Sequence, residues 1–145
     1  MKTLLITGGY GFIGSHFIRL LRREKPQWRV VNLDLLTYAG NLDNLADLNF
    51  VGDCSGYRFI RGDIADSSLV RQIFEAETPD EIVNFAAETH VDRSLLDSAP
   101  FVGTNIEGVR VLLDVATRYE IKRFLQVSTD EVYGSLGPDE PAFSE

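Results

Sequence analysis

Lys2 to Thr7 (KTLLIT) is a short apolar run that stops against Gly8-Gly9, and a helical pattern begins almost at once behind it. From Phe12 to Arg23 the apolar residues Ile13, Phe17, Leu20 and Leu21 are expected to share one helical face. A buried strand that feeds a helix through a glycine turn is the opening of a parallel βα unit, and few folds accept it. The turn reads Gly8-Gly9-Tyr10-Gly11-Phe12-Ile13-Gly14, with Gly8, Gly11 and Gly14 at G-x-x-G-x-x-G spacing. Glycine is needed where the chain turns tightly, where a pyrophosphate approaches the backbone, and where the helix packs closely on the strand. The helix then aims its free N–H groups and the positive end of its dipole at the phosphates. The alternative is a glycine-rich turn with no ligand. The strand before it and the helix after it are the context that favours a dinucleotide.

The same alternation continues along the chain. Trp28–Leu33, Tyr57–Arg61, Glu81–Phe85 and Phe124–Ser128 read as further strands. Asn41–Leu48 reads as a short helix, and Asp66 or Ser67 caps another that runs to about Glu75. Pro100 begins a long amphipathic segment with Val102, Ile106, Val109, Leu112, Leu113 and Ala116 on one side, and Gly134 to Glu145 reads as loop. Strands alternating with helices give an α/β, Rossmann-type, doubly wound parallel sheet of five strands in the order 3-2-1-4-5. The 145 residues suit one domain, 1–145, expected to stop before the sixth strand of the full pattern. That would leave the fifth strand as an apolar edge open to pairing.

With 22 acidic against 14 basic residues, the net charge of −8 argues against a non-specific nucleic-acid binder, which would need a basic face to neutralise phosphates. Backbone N–H groups still hold phosphate without Lys or Arg. Cys54 is the single cysteine, which excludes an intrachain disulfide and multi-thiolate zinc sites. His16 and His90 do not fall at metal-ligand spacing, so no metal is expected. No apolar run is long enough to span a membrane, Met1-Lys2-Thr3 shows no signal-peptide pattern, and a cytoplasmic setting is expected.

Asp34 closes the second strand about 20 residues beyond the glycine loop, where a carboxylate accepts hydrogen bonds from a ribose diol. It would repel a 2′-phosphate, so NAD is favoured over NADP. A turn aspartate is the plainer reading, and the loop before it shifts the balance. Asp63-Ile64 either holds and packs the adenine edge or simply ends the third strand.

The glycine spacing resembles the short-chain dehydrogenase/reductase superfamily, and TGGYGFIGSH resembles its extended branch. Asp34-Leu35-Leu36-Thr37-Tyr38-Ala39-Gly40-Asn41 resembles the D-K-L-T-Y-A-G-N segment of dTDP-glucose 4,6-dehydratases, with Leu35 where Lys is usual. Phe85 to Ser94 (FAAETHVDRS) is similar to that family's segment after the fourth strand, with Thr89 where Ser is common. Ser128-Thr129-Asp130-Glu131-Val132-Tyr133-Gly134 matches the dehydratase form of the motif that follows the fifth strand.

The resemblance implies an internal redox reaction. A tightly held NAD oxidises the sugar at C4, water leaves across C5 and C6, and the hydride returns to C6, giving a 4-keto-6-deoxy sugar nucleotide. By resemblance Asp130 is the acid, Glu131 the base, and Thr129 the hydroxyl that binds the C4 oxygen. Repulsion between the two carboxylates is expected to raise one pKa. The plainer reading of the triplet is a capping Thr-Asp-Glu. The resemblance also places the Phe12 and Ile13 N–H groups on the pyrophosphate and Leu35, Leu36 and Thr37 beside the adenosine ribose. Phe85, Ala86, Ala87, Glu88 and Thr89 then line the middle of the dinucleotide, with Thr104 nearby and Thr89 also touching substrate. Asn105 is expected to be a structural polar residue under the site, His90 a local hydrogen-bonding residue, His16 a helix-surface residue and Tyr10 loop packing.

The superfamily's Tyr-x-x-x-Lys pair is missing: Tyr119 is followed four residues on by Arg123, and Tyr133 by Gly137. In the family this pair and the substrate domain lie beyond the fifth strand, so the 145 residues are expected to be the cofactor part of a longer, homodimeric enzyme and inactive alone. The alternatives are a UDP-glucose 4,6-dehydratase, another sugar epimerase of the extended branch, or a non-catalytic NAD-binding module.

Overall fold

A computed structural model describes residues 1–48 and 56–144; Cys54 lies outside the described residues. Five parallel strands form one sheet: β1 (Thr3–Thr7), β2 (Arg29–Asp34), β3 (Tyr57–Arg61), β4 (Glu81–Asn84) and β5 (Arg123–Gln126). Their order is β3-β2-β1-β4-β5, as the alternation implied. Thr7 lies opposite both Leu33 of β2 and Asn84 of β4, and Asn84 lies opposite Gln126. The C-terminal ends of the strands therefore finish nearly level.

Because successive side chains point to opposite faces, each strand contributes to two cores. Leu4 and Ile6 pack with Ile18, Leu21, Val30 and Val83 under α1 (Phe12–Glu24). Leu5, Val31, Leu33 and Ile82 pack on the other face with Val70, Ile73 and Phe74 of α2 (Ser67–Glu77). Asp66 caps α2, its side chain accepting from the N–H groups of Ser68 and Leu69, an arrangement that stabilises a helix by about 1 kcal/mol. At the N-terminal edge of the sheet Glu77 is buried between Arg29 and Arg58, paired with both.

Four helical details differ from the sequence expectation. In α1 the buried face is Gly14, Ser15, Ile18 and Leu21, whereas Ile13 and Leu20 are exposed and Phe17 half-buried. The small residues Gly14 and Ser15, not the apolar ones beside them, let the helix sit close to the strand ends. Val91–Leu96 forms a short helix, α3, that the apolar periodicity did not signal. The long segment is composite: α4 (Ala99–Val102), a π-helical turn (Gly103–Gly108) and α5 (Val109–Arg118). The wider turn shifts the register, so Gly108, Val111, Leu112, Val115 and Ala116 are buried while Val102, Ile106 and Leu113 are exposed. Leu42–Leu45 is a 3-10 turn, shorter than the expected helix. No helix of the described residues is long and apolar enough to cross a membrane.

Candidate functional site

Gly8 leaves β1 with φ of +67°, and a Cβ there would come within 2.7 Å of the Ala86 backbone nitrogen. A side chain at Gly14 would meet the Gly8 carbonyl oxygen at 2.3 Å. Both positions are closed by the protein itself. Gly11 differs: a Cβ there would touch only the Gly8 oxygen, at 3.2 Å.

The loop is braced along its length. Gly9 N–H donates to Asn32 Oδ1 (3.1 Å), and Asn32 in turn donates to the buried Tyr57 hydroxyl (2.9 Å). Tyr10 N–H donates to Asp34 Oδ2 (2.8 Å), and the Tyr10 carbonyl accepts from Asn41 N–H and Asn44 Nδ2. The Tyr10 ring stands edge-on to Phe59 with centroids 4.8 Å apart, which makes it loop packing as expected. Asp34 Oδ1 accepts from Leu36 N–H at 2.8 Å, with Leu36 held at φ of +57°. The buried Asp34 carboxylate thus ties the glycine loop to the chain leaving β2. Sequence reasoning missed Asn32 and Asn44, which show locally only as polar residues, and it quoted Asn41 in the segment after β2 without its bracing contact to Tyr10.

α1 begins at Gly11 with no side-chain cap and no acidic residue in its first turn. Its opening N–H groups, at Phe12 and Ile13, are of the kind a helix cannot satisfy internally. They border a cleft of about 370 Å³ at the C-terminal edge of the sheet. Gly8, Gly11, Phe12, Ile13, Gly14, Asp34, Leu35, Thr37, Asp63, Ile64, Phe85, Ala86, Ala87, Glu88, Thr89 and Thr104, all singled out from the sequence, line it. Thr129 lines it too, from the β5 side. Leu33, Ala39, Gly40, Gly62, Val127 and Ser128 complete the wall and were not foreseen. Leu36 is not a wall residue: its N–H serves Asp34 and its side chain packs against the α1-side core.

Asp63 follows β3 at the cleft edge. It borders the cleft, while its Oδ1 accepts from Ala65 N–H in a turn that ends the strand. Ile64 is buried against α5, where Gly108 leaves room for it. Across the cleft, Asn105 accepts from Glu88 N–H (2.9 Å) and donates to the Glu88 carbonyl (2.8 Å), the structural role expected of it. The Tyr38 hydroxyl donates to Glu88 Oε2 at 3.2 Å, and the Arg93 guanidinium lies 3.9 Å from the Tyr38 ring centre. This bridge joins the rims that follow β2 and β4. His16 is exposed on α1, against Phe12, and His90 precedes α3, its carbonyl accepting from Arg93 N–H.

Asp130 and Glu131 stand outside the cleft wall, on an exposed 3-10 turn (Asp130–Tyr133) entered from Thr129. Thr129 does not cap that turn with its side chain. A hydrogen bond from the Thr129 hydroxyl instead holds the Glu131 carboxyl below the usual carboxylate range. Repulsion was expected to lift one of the pair; at Glu131 the shift runs the other way, because hydrogen bonds from the Thr129 hydroxyl and from the turn backbone favour the ionised form and outweigh desolvation. Among the described residues no cluster of three or more His, Cys, Asp or Glu could hold a metal ion.

The family model described as GDP-mannose 4,6 dehydratase matches residues 5–145. The low-salt glycan biosynthesis protein Agl12 of Haloferax volcanii is 52% identical over 133 residues, which cover 92% of this chain and 41% of that protein. A dTDP-glucose 4,6-dehydratase of Streptomyces niveus is 51% identical over 137 residues, covering 92% of this chain and 39% of its own length. The crystal structure of dTDP-glucose 4,6-dehydratase from Bacillus anthracis in complex with NAD superposes with a TM-score of 0.85 at 38% identity, covering 100% of this chain and 43% of that one. The chain spans about two fifths of the length of the curated relatives it matches. Matched by one family model over nearly all of its residues, and half identical to dehydratases across the same stretch, the chain belongs to the GDP-mannose 4,6 dehydratase family.

Proposed function

We propose that these residues form the dinucleotide-binding part of an NAD-dependent nucleotide-sugar 4,6-dehydratase acting on dTDP-glucose. The observation that carries the reading is the shared cleft. The glycine loop, Asp34 and Thr129 line one wall-to-wall space, and the two carboxylates follow Thr129 directly in the chain. The fit to the cofactor rests on the uncapped start of α1 and on the open side of Gly11, a cradle that a Cβ would fill.

In this reading the Phe12 and Ile13 N–H groups hold the pyrophosphate, Asp34 accepts from the adenosine ribose and disfavours a 2′-phosphate, and Asp63 and Ile64 border the adenine. Phe85 to Thr89 and Thr104 line the middle of the cleft. Bound there, NAD supplies the site that takes up and gives back a hydride. Thr89 and Thr129 contact the sugar, with the Thr129 hydroxyl on its C4 oxygen. Glu131, kept ionised by its hydrogen bond, removes the C5 proton. Asp130 delivers a proton to the departing C6 hydroxyl, so that water leaves. The phenolate and lysine that the superfamily uses at C4 are not among these 145 residues, and the 145-residue chain alone is inactive in this reading. The whole enzyme is a cytoplasmic homodimer; the exposed Leu95, Leu96, Val102 and Ile106 support the dimer.

The test is incubation of the whole enzyme with dTDP-glucose, with the product read by mass spectrometry and NMR. Loss of one water with a keto group at C4 is expected. Retention of every atom with C4 inverted would make it an epimerase, and preference for UDP-glucose would move the assignment to the uridine substrate.

A further inference from the structure

Thr7, Asn84 and Gln126 are the last residues of β1, β4 and β5, and the parallel register sets them side by side. Their side chains form one chain of hydrogen bonds. The Thr7 hydroxyl donates to Asn84 Oδ1, and Asn84 Nδ2 donates to Gln126 Oε1 at 2.7 Å. The Thr7 oxygen also accepts from the Ala86 N–H, at 3.4 Å. Thr7 and Asn84 are fully buried.

Each member roots a different part of the cleft. Gly8 follows Thr7, Phe85 to Thr89 follow Asn84, and Val127 to Thr129 follow Gln126. β5 has one strand neighbour in this sheet, β4, and the Asn84 amide is a side-chain tie between the floor of the cleft and the segment carrying Thr129. A primary amide suits the position because it accepts on one side and donates on the other. An aliphatic side chain there would leave the buried Thr7 hydroxyl without its acceptor.

We infer that Asn84 is a positioning residue: the Thr7–Asn84–Gln126 chain sets the spacing between the dinucleotide floor and Thr129, Asp130 and Glu131. Breaking its β5 leg lowers turnover while leaving dinucleotide binding intact. The inference rests on the dehydratase reading above.

Replacing the buried Asn84 risks the fold, so the decisive variants are at the exposed Gln126. Gln126→Leu removes the acceptor for Asn84 Nδ2, whereas Gln126→Glu keeps one. In the whole enzyme, Gln126→Leu is expected to lower kcat by up to about a hundredfold, the size of effect that a 1 Å misplacement of a reacting group produces. The Kd for NAD, by calorimetry, and the KM for dTDP-glucose stay near the unmutated values, and Gln126→Glu recovers kcat. An unchanged kcat in Gln126→Leu overturns the inference. So does a parallel loss of NAD affinity, or a Glu variant as slow as the Leu variant. If the unmutated enzyme binds NAD but does not dehydrate dTDP-glucose, the functional reading falls and takes this inference with it; normal turnover without the split sinks the relay alone.

Discussion

At the β1–β2 end of the cleft, the loop from Gly8 to Tyr10 is held by Asn32, Asp34, Asn41 and Asn44, and Gly8 and Gly14 admit no side chain. At the β5 end, Thr129, Asp130 and Glu131 are exposed on a 3-10 turn whose entry has no side-chain cap. The first end is finished by its own packing, and a ligand meets it pre-organised. The second carries a hydroxyl and two carboxylates that the described residues leave solvent-facing. On the reading proposed above, binding and chemistry are therefore separable: damage at the first end is expected to reach the fold, and damage at the second only the reaction.

The largest expected effect tests the second half of that contrast. In the whole enzyme, Asp130→Asn and Glu131→Gln should cut product formation by roughly two to four orders of magnitude, the usual size of an acid–base contribution. C4 oxidation persists, seen as NADH absorbance, and stability moves by less than about 0.5 kcal/mol, as for an exposed site. A large drop in melting temperature would erase the contrast.

Next in size is Gly14→Ala. Its Cβ collides with the Gly8 carbonyl, so the loop or the helix must shift. Overpacking of this kind costs about 1–3 kcal/mol, and chemical denaturation should register it together with loss of NAD binding. A Gly14→Ala variant of normal stability and affinity would show that the loop is less fixed than its contacts imply.

Asp34→Ala should have a smaller effect, an NAD affinity lower by about tenfold with NADP now bound comparably, both by calorimetry. Asp34→Asn keeps an acceptor for one of the two N–H groups and should lie between. Equal affinity of the unmutated chain for both cofactors would remove Asp34 as the selector.

The smallest effect sharpens the chemical end. Thr129→Val removes the hydrogen bond that holds Glu131 down, so its carboxyl should titrate closer to the ordinary value, followed by carbon NMR. The sign matters: with Thr129 in place Glu131 stays ionised to lower pH, so the variant loses its base at higher pH than the parent. An unmoved titration would mean that Thr129 does not act on Glu131.

Much of the binding end could be read directly from the residues. Tyr57–Arg61 agrees with the observed strand because its apolar residues Tyr57, Phe59 and Ile60 lie between Gly56 and Gly62, which bound it. The strand order followed from the βα alternation, and the glycine loop and Asp34 followed from spacing. What escaped depends on contacts between distant segments. Asn32 looks like any polar residue in a strand until Gly9 is laid against it. The buried face of α1 was misjudged because close approach selects Gly14 and Ser15 over Ile13 and Leu20. The face of the segment after Pro100 was misjudged because its residues were counted at α-helical period across a turn that is not α-helical.

That π-helical turn, Gly103–Gly108, carries Thr104 on the cleft wall and Asn105 on the Glu88 backbone. An i→i+5 turn holds one residue more than an α turn. In the language of insertions and deletions, the grip on Glu88 depends on the length of the chain as well as on its letters. Deleting Gly103 would let the helix close as α and keep the buried face of α5 on the sheet. It would also swing Thr104 about 100° around the axis, away from the cleft. A single lost codon then leaves a folded protein, normal by circular dichroism, with one rim of its cleft dismantled.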